Sequence, residues 1–282
     1  MTHWIRNIVI LPLCLGLAFL ATGASADPDA LVLSVVPRSP PPETHREWSP
    51  FVERLSRDIG RPVALKIFSG ISEYEQFTQS GRADLTFSNP YEFVQLHKRL
   101  GFIPLVRDDA ERLSGALVVR SNDTLQSIRE LDGQIIAFPH PNAFGASLYM
   151  RALLTTEFGI RFTPTYVSTH GNVYRSVILE KARAGGGVNV TLNKEPPAVR
   201  NQLRVLYETP ALAPHPLSAH PRISAGLREK IQAAILRMAD DEAGKAILAR
   251  VTLTKPVRAD YARDYQVLER LHLEKYYVES AD

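Results

Sequence analysis

Cysteine is nearly missing from this chain: of 282 residues only Cys14 carries a thiol, and it lies in the first apolar stretch. Once that stretch is removed, no disulfide, thiolate nucleophile or cysteine-ligated metal remains possible. Long apolar runs are missing too, since Ile8 to Leu20 falls short of the roughly 20 residues that a membrane-spanning helix needs. Blocks of like charge are absent. The 33 basic and 30 acidic residues are interspersed and leave a net charge of +3, which argues against a nucleic-acid arm or a membrane-surface patch. A pI near 9.0 leans modestly towards an anionic ligand, although an arginine-rich solvated surface accounts for it equally well. Hydrolase signatures are lacking as well: there is no Gly-x-Ser-x-Gly elbow, no metal-spaced histidine pair on a helix and no carboxylate pair in the strand-to-helix turns at 88–91, 142–145 and 169–172. No cofactor is implied, and catalysis is not expected.

What the chain does have begins with Arg6, the apolar run and the small-residue triplet Ala24-Ser25-Ala26, the three parts of a secretory signal peptide cleaved before Asp27. An uncleaved membrane anchor is the alternative. Lipoprotein processing at Cys14 is disfavoured by Pro12 and Leu13, which are not the small residues it requires. The expected product is a soluble exported chain of about 255 residues, enough for one or two hydrophobic cores.

From Asp27 to about Glu208 short β-rich runs alternate with amphipathic stretches, the pattern of an α/β protein with largely parallel sheets. Strands are expected at Val32–Val36, Val63–Phe68, Leu85–Phe87, Ile103–Val106, Ala116–Arg120, Gln134–Phe138, Thr165–Val167, Gly187–Leu192 and Leu203–Tyr207. Trp48, Phe51, Val52, Leu55 and Ile59 recur at helical spacing and stop at Gly60. Ser72 and Glu75 form a capping-box pair before a short helix ending at Gly81. Further helices are expected at Tyr91–Leu100, Ala146–Phe158 and Asn172–Ala184, and two apolar stripes, Leu227/Ile231/Ile235/Met238 and Tyr261/Tyr265/Leu268/Leu271, mark a helical C-terminal part. The rhythm suggests a signal peptide at 1–26, a first lobe at 27–114, a second lobe at 115–209, and a return to the first lobe at 210–282.

Five turns, in order, carry a resemblance: Gly81 to Tyr91, the loop after Phe138, Thr169-His170-Gly171-Asn172, Gly185-Gly186-Gly187-Val188-Asn189 and Pro214-His215-Pro216. Together they resemble the phosphonate, phosphite and phosphate substrate-binding proteins of ABC importers, over nearly the whole mature chain. The resemblance implies a type II periplasmic binding protein: two α/β lobes joined by a hinge, a small anion held between them, and closure on binding. It further implies a periplasmic monomer delivering solute to an inner-membrane ABC permease. The same closure would also serve a sensory protein partnering a histidine kinase, and an exported hydrolase is the third reading.

In open α/β sheets ligands collect at the carboxyl ends of the strands, where helix N-termini aim free amides at an anion. On that basis the candidate ligand-binding residues are Tyr74, Ser88, Asn89, Tyr91, Asn142, Ala143, Phe144, His170, Asn189 and Thr191. His170 is the leading candidate, because an imidazole in a glycine-containing turn can donate to an oxyanion; Tyr74 and His170 also match cleft residues of the family. Each has a structural alternative: the tyrosines as core residues, Ser88 and Asn89 as turn formers and caps, Asn189 and Thr191 as an ordinary strand end. His170 also reads as a surface-loop residue. His215 and His220, set among prolines, read as parts of a rigid connector and stay outside the expected site. Where the family shows a serine-threonine-serine run, this chain has Asn142, Ala143 and Phe144. The hydroxyls are lost while the backbone amides remain, which points to a smaller or less charged oxyanion, or to a ligand with an apolar part; Phe144 also reads as a staple for the helix that follows.

Overall fold

The computed structural model describes residue 1 and residues 29–278, so the expected signal peptide and its cleavage site lie outside the described residues. The chain enters through β1 (Leu31–Val35), α1 (Pro41–Ile59), β2 (Val63–Lys66), α2 (Ile71–Gln79), β3 (Leu85–Phe87), α3 (Pro90–Leu100) and β4 (Ile103–Asp108). It then crosses into β5 (Gly115–Arg120), β6 (Ile135–Phe138), α4 (Tyr149–Thr156), β7 (Thr163–Tyr166), α5 (His170–Ile178), β8 (Ala184–Val188), α6 (Asn189–Lys194), α7 (Pro197–Arg200) and β9 (Leu203–Glu208). A second crossing leads to β10 (Leu217–Ala219), α8 (Ala225–Arg237), α9 (Glu242–Arg250) and β11 (Pro256–Arg258), followed by short helical turns to Tyr276.

Two sheets result, ordered β11-β4-β10-β3-β1-β2 and β7-β6-β8-β5-β9. Both are mixed in their pairing, and the expectation of largely parallel sheets needs that refinement. In the first sheet β10 runs antiparallel between β3 and β4, and in the second β5 runs antiparallel between β8 and β9. The strand that follows each crossing, β5 or β10, is reversed because a chain arriving from the other lobe enters at the opposite end of the sheet; β11 at the edge of the first sheet is also antiparallel to β4. Leu113 and Leu212 tie the two crossings together, exchanging backbone hydrogen bonds of 3.0 and 2.9 Å.

Alternation along the strands builds the cores. In β5 Leu117 and Val119 face one cluster with Ile136, Phe138 and Met150, whereas Ala116 and Val118 face another with Val173, Tyr174 and Val177. The α1 stripe reads as expected, burying Trp48, Phe51, Val52, Leu55 and Ile59 and ending at Gly60, whose φ of 64° suits glycine. It packs beneath the first sheet with Ile231, Ile235 and Met238. A further cluster runs from Tyr91, Phe93, Tyr265 and Leu268 to Phe144, Tyr149 and Leu153, so apolar packing joins the lobes at one side.

Several local expectations change. The predicted strand Gly187–Leu192 is instead β8, three to four residues earlier, and Asn189 opens a helix. The glycines are the strand because close neighbours leave no room there: a Cβ on Gly186 would sit 2.0 Å from the Ala146 carbonyl oxygen and 2.6 Å from the Phe138 ring. The expected Ser72–Glu75 capping pair does not form: α2 starts from Gly70 with no side-chain cap, and Glu73 instead reaches back to accept from the Ser69 backbone N–H and hydroxyl at 3.0 and 2.8 Å. The helix after Phe138 begins as a wide turn over Phe144–Leu148, and α5 stops at Ile178, two residues before Glu180 takes a φ of 58°. Strands β10 and β11 have only three residues each, too few for a period-2 pattern to show.

Candidate functional site

The carboxyl ends of β1, β3, β6, β7 and β8 open onto the gap between the sheets. A cavity of about 550 Å³ lies there, lined among others by Arg38, Glu47, His170, Arg175, Thr191 and Lys194. A neighbouring space of about 440 Å³ shares Arg38 and Lys194 and adds Phe87 and His215. Beneath them a narrow, mainly apolar recess is bordered by Val36, Leu113, Ala143, Phe144 and Val188, again with Arg38, His170 and His215.

Arg38 is common to all three spaces. It follows β1 after Pro37, lies 5.3 Å over the Phe87 ring and donates one bond, 3.1 Å long, to the Thr252 hydroxyl. Among the described residues it forms no ion pair at contact distance. Burial pulls its pKa down, and the Glu47 carboxylate partly restores it; a guanidinium stays charged through such a shift.

His170 faces it from the other lobe. It opens α5, with Thr169 as cap: the Thr169 hydroxyl accepts the Asn172 N–H at 3.2 Å. Only 9% of His170 is exposed, and its Nδ1 is buried without a hydrogen-bond partner. Burial, and then the nearby Arg38 charge, push its pKa down to about 4. His215 stacks on Phe87 with ring centroids 5.4 Å apart. Burial, Arg38 and His170 hold it neutral, with a pKa well below the ordinary histidine range. A histidine expected in a connector thus borders the cleft. Its proline neighbours do form a connector, and that connector passes along the cleft wall.

Of the ten expected residues, Asn89, Ala143, Phe144, His170 and Thr191 line these spaces. Asn89 also caps α3, its side-chain oxygen accepting the Glu92 N–H at 2.9 Å. The Thr191 hydroxyl bonds that of Tyr174 at 2.8 Å. The other five lie elsewhere. Tyr74 is fully buried, its hydroxyl 2.8 Å from that of Thr86. Ser88 is buried beside β3, and Tyr91 packs in the shared cluster with its ring stacked on Phe144, centroids 6.2 Å apart. Asn142 has its amide engaged: it donates to Glu75 at 2.9 Å and to the Val278 carbonyl at 2.7 Å, and accepts from the Val278 N–H at 2.9 Å. Asn189 is similarly occupied by Ser114, Glu111 and Arg112.

Sequence reasoning missed Arg38 and His215 as cleft residues. Arg38 sits just past a strand's carboxyl end, the one local signal that pointed to it. Across the mouth, Lys194 of α6 and Glu47 of α1 form an ion pair of 3.6 Å between the lobes. Among the described residues no cluster of metal-ligating side chains occurs and no helix is long and apolar enough to cross a membrane.

Residues 33–265 match the family described as the periplasmic substrate-binding protein of phosphonate ABC transporters. Among solved structures, PhnD1 of Prochlorococcus marinus in complex with methylphosphonate is similar, with a TM-score of 0.76 and 16% identity over 87% of this chain and 97% of that one. A Xanthomonas citri protein bound to chloride ion gives a TM-score of 0.75 and 17% identity, covering 88% and 98%. A binding-protein component of a phosphonate ABC transporter from Pseudomonas aeruginosa gives 0.75 and 15%, covering 88% and 86%. Identities this low show a shared fold.

Proposed function

Since the chain belongs to the family of periplasmic substrate-binding proteins of phosphonate ABC transporters, we propose that it captures its anion between Arg38 and His170 and hands it to an inner-membrane permease. The observation that carries the reading is that two groups from opposite lobes border one cleft: a guanidinium with no ion pair among the described residues, its one hydrogen bond going to Thr252, and a buried imidazole nitrogen without a partner. The α5 N-terminus supports it, because the first amides of a helix are unpaired and the dipole favours negative charge there. Asn89 and the amides around Phe144 complete the wall. Export by a leader over residues 1–26 and action as a monomer belong to the same reading.

Bound ions in relatives of this fold agree with an anion site: methylphosphonate in the Prochlorococcus protein, chloride and, separately, ATP in the Xanthomonas protein. The test is a thermal-shift panel of oxyanions and small organic acids. An anion at a hundredfold excess over its dissociation constant stabilises the protein by about 2.7 kcal/mol. Arg38→Ala and His170→Ala each weaken the best hit by tenfold or more. Parental affinity in both variants would remove the cleft from consideration.

A further inference from the structure

The proposed function leaves the class of anion open, and any assignment of that class rests on the receptor reading. Three features of the cleft bear on the choice. The first is charge: the 550 Å³ cavity is lined by three cationic residues, Arg38, Arg175 and Lys194, and by three acidic ones, Glu43, Glu47 and Glu195. His170 is held neutral by burial, with a pKa near 4. No surplus of positive charge is available for a dianion, whose desolvation would go uncompensated.

The second feature is the donor set. A planar guanidinium fork matches two coplanar oxygens. A third, tetrahedral oxygen would look to the loop after β6, where Ala143 and Phe144 offer backbone amides but no side-chain donor and the Asn142 side chain is engaged with Glu75 and Val278. The third feature is space and polarity. The cavity falls in the range of organic-ligand sites, about 300–1,000 Å³, and it continues into the apolar recess of Val36, Leu113, Phe144 and Val188.

The geometry points to an organic monocarboxylate with an apolar substituent, its carboxylate on the Arg38 fork beside His170 and its apolar part against Phe144 and Val188. Phe144 and Ala143 are then specificity residues that select against a third oxygen. Arg38 supplies the charge.

Isothermal titration of the full mature chain with matched pairs tests this: propionate against ethylphosphonate, butyrate against propylphosphonate, benzoate against phenylphosphonate, with inorganic phosphate alongside. The carboxylate of each pair binds at least tenfold tighter, and affinity rises about fourfold per added methylene, the ratio corresponding to about 0.8 kcal/mol per buried CH₂. Phe144→Ser, or Ala143→Ser if the former folds poorly, returns a hydroxyl to the loop and narrows the ratio by threefold or more. Phosphonates binding as tightly as their carboxylates, phosphate as the best ligand, or an unchanged ratio in a folded serine variant overturns the monocarboxylate assignment while the anion-receptor reading stands. Absence of binding by every anion in the panel overturns both.

Discussion

Arg38 owes its position to where β1 ends, and apart from that place just past a strand, Val36-Pro37-Arg38-Ser39-Pro40 reads as a surface arginine beside prolines. Its partner histidine was legible, since a glycine turn before a helical pattern places His170 at a helix N-terminus. His215 was legible only as a turn, because stacking on Phe87 is a tertiary fact. The buried histidines carry a pH prediction. His170 has an ordinary pKa of 6.5 and a folded value near 4, so the unfolded chain binds the proton first as pH falls. The associated stability is present above pH 6.5 and is lost between there and pH 4, at about 1.4 kcal/mol per pH unit. Urea unfolding at pH 7 and pH 5 shows the loss, and His170→Asn reduces it. Glu92 behaves in the opposite sense. Burial and the neighbouring Glu75 push its pKa well above the carboxylate range, while the Thr78 hydroxyl donates to it at 3.0 Å. Its contribution is complete at acid pH and is lost as pH rises through the raised value. Glu92→Gln removes that dependence, so its melting temperature gains on the parent at pH 8.5 relative to pH 5.

At the scale of elements, the strands and helices of strong period were readable: α1 and its glycine stop, β3, α3 and β5 lie where the apolar spacing puts them. Boundaries failed where tertiary contact outweighed local pattern. The glycine run at 185–187 looked like the lead-in to a strand, and it lies inside the strand, with Gly186 so close to the Phe144–Leu148 turn that a side chain is excluded there. Gly186→Ala therefore destabilises by at least about 2 kcal/mol through overpacking, read as a lower midpoint in chemical denaturation. Asn142, expected at the ligand, instead joins α2, its own loop and the C-terminal end. A lone asparagine in a turn reads the same in either role.

For the molecule as a whole, two sheets are joined by paired crossings, with packing between Tyr91 and Phe144 on one side and the cleft mouth on the other. The Lys194–Glu47 pair spans that mouth with Lys194 half exposed, the regime in which ion pairs contribute little, up to about 1 kcal/mol, and are screened by salt. Lys194→Ala accordingly weakens ligand binding by no more than about fivefold, and the gap between variant and parent closes in 0.5 M salt. A larger loss measured by titration would make Lys194 a ligand contact in its own right.

The sequence by itself determined the α/β class, the two-lobed receptor family and the presence of helix-opening turns, because periodicity, composition and turn residues act over a few positions. Only the tertiary structure decided which turns share a cavity, that Arg38 and His215 border it, and that Tyr74, Asn142 and Asn189 are engaged elsewhere. Those outcomes depend on contacts between residues far apart in the chain. The proposed role of Arg38 rests on such an outcome, since the fold places its charge in a cleft with no ion pair among the described residues.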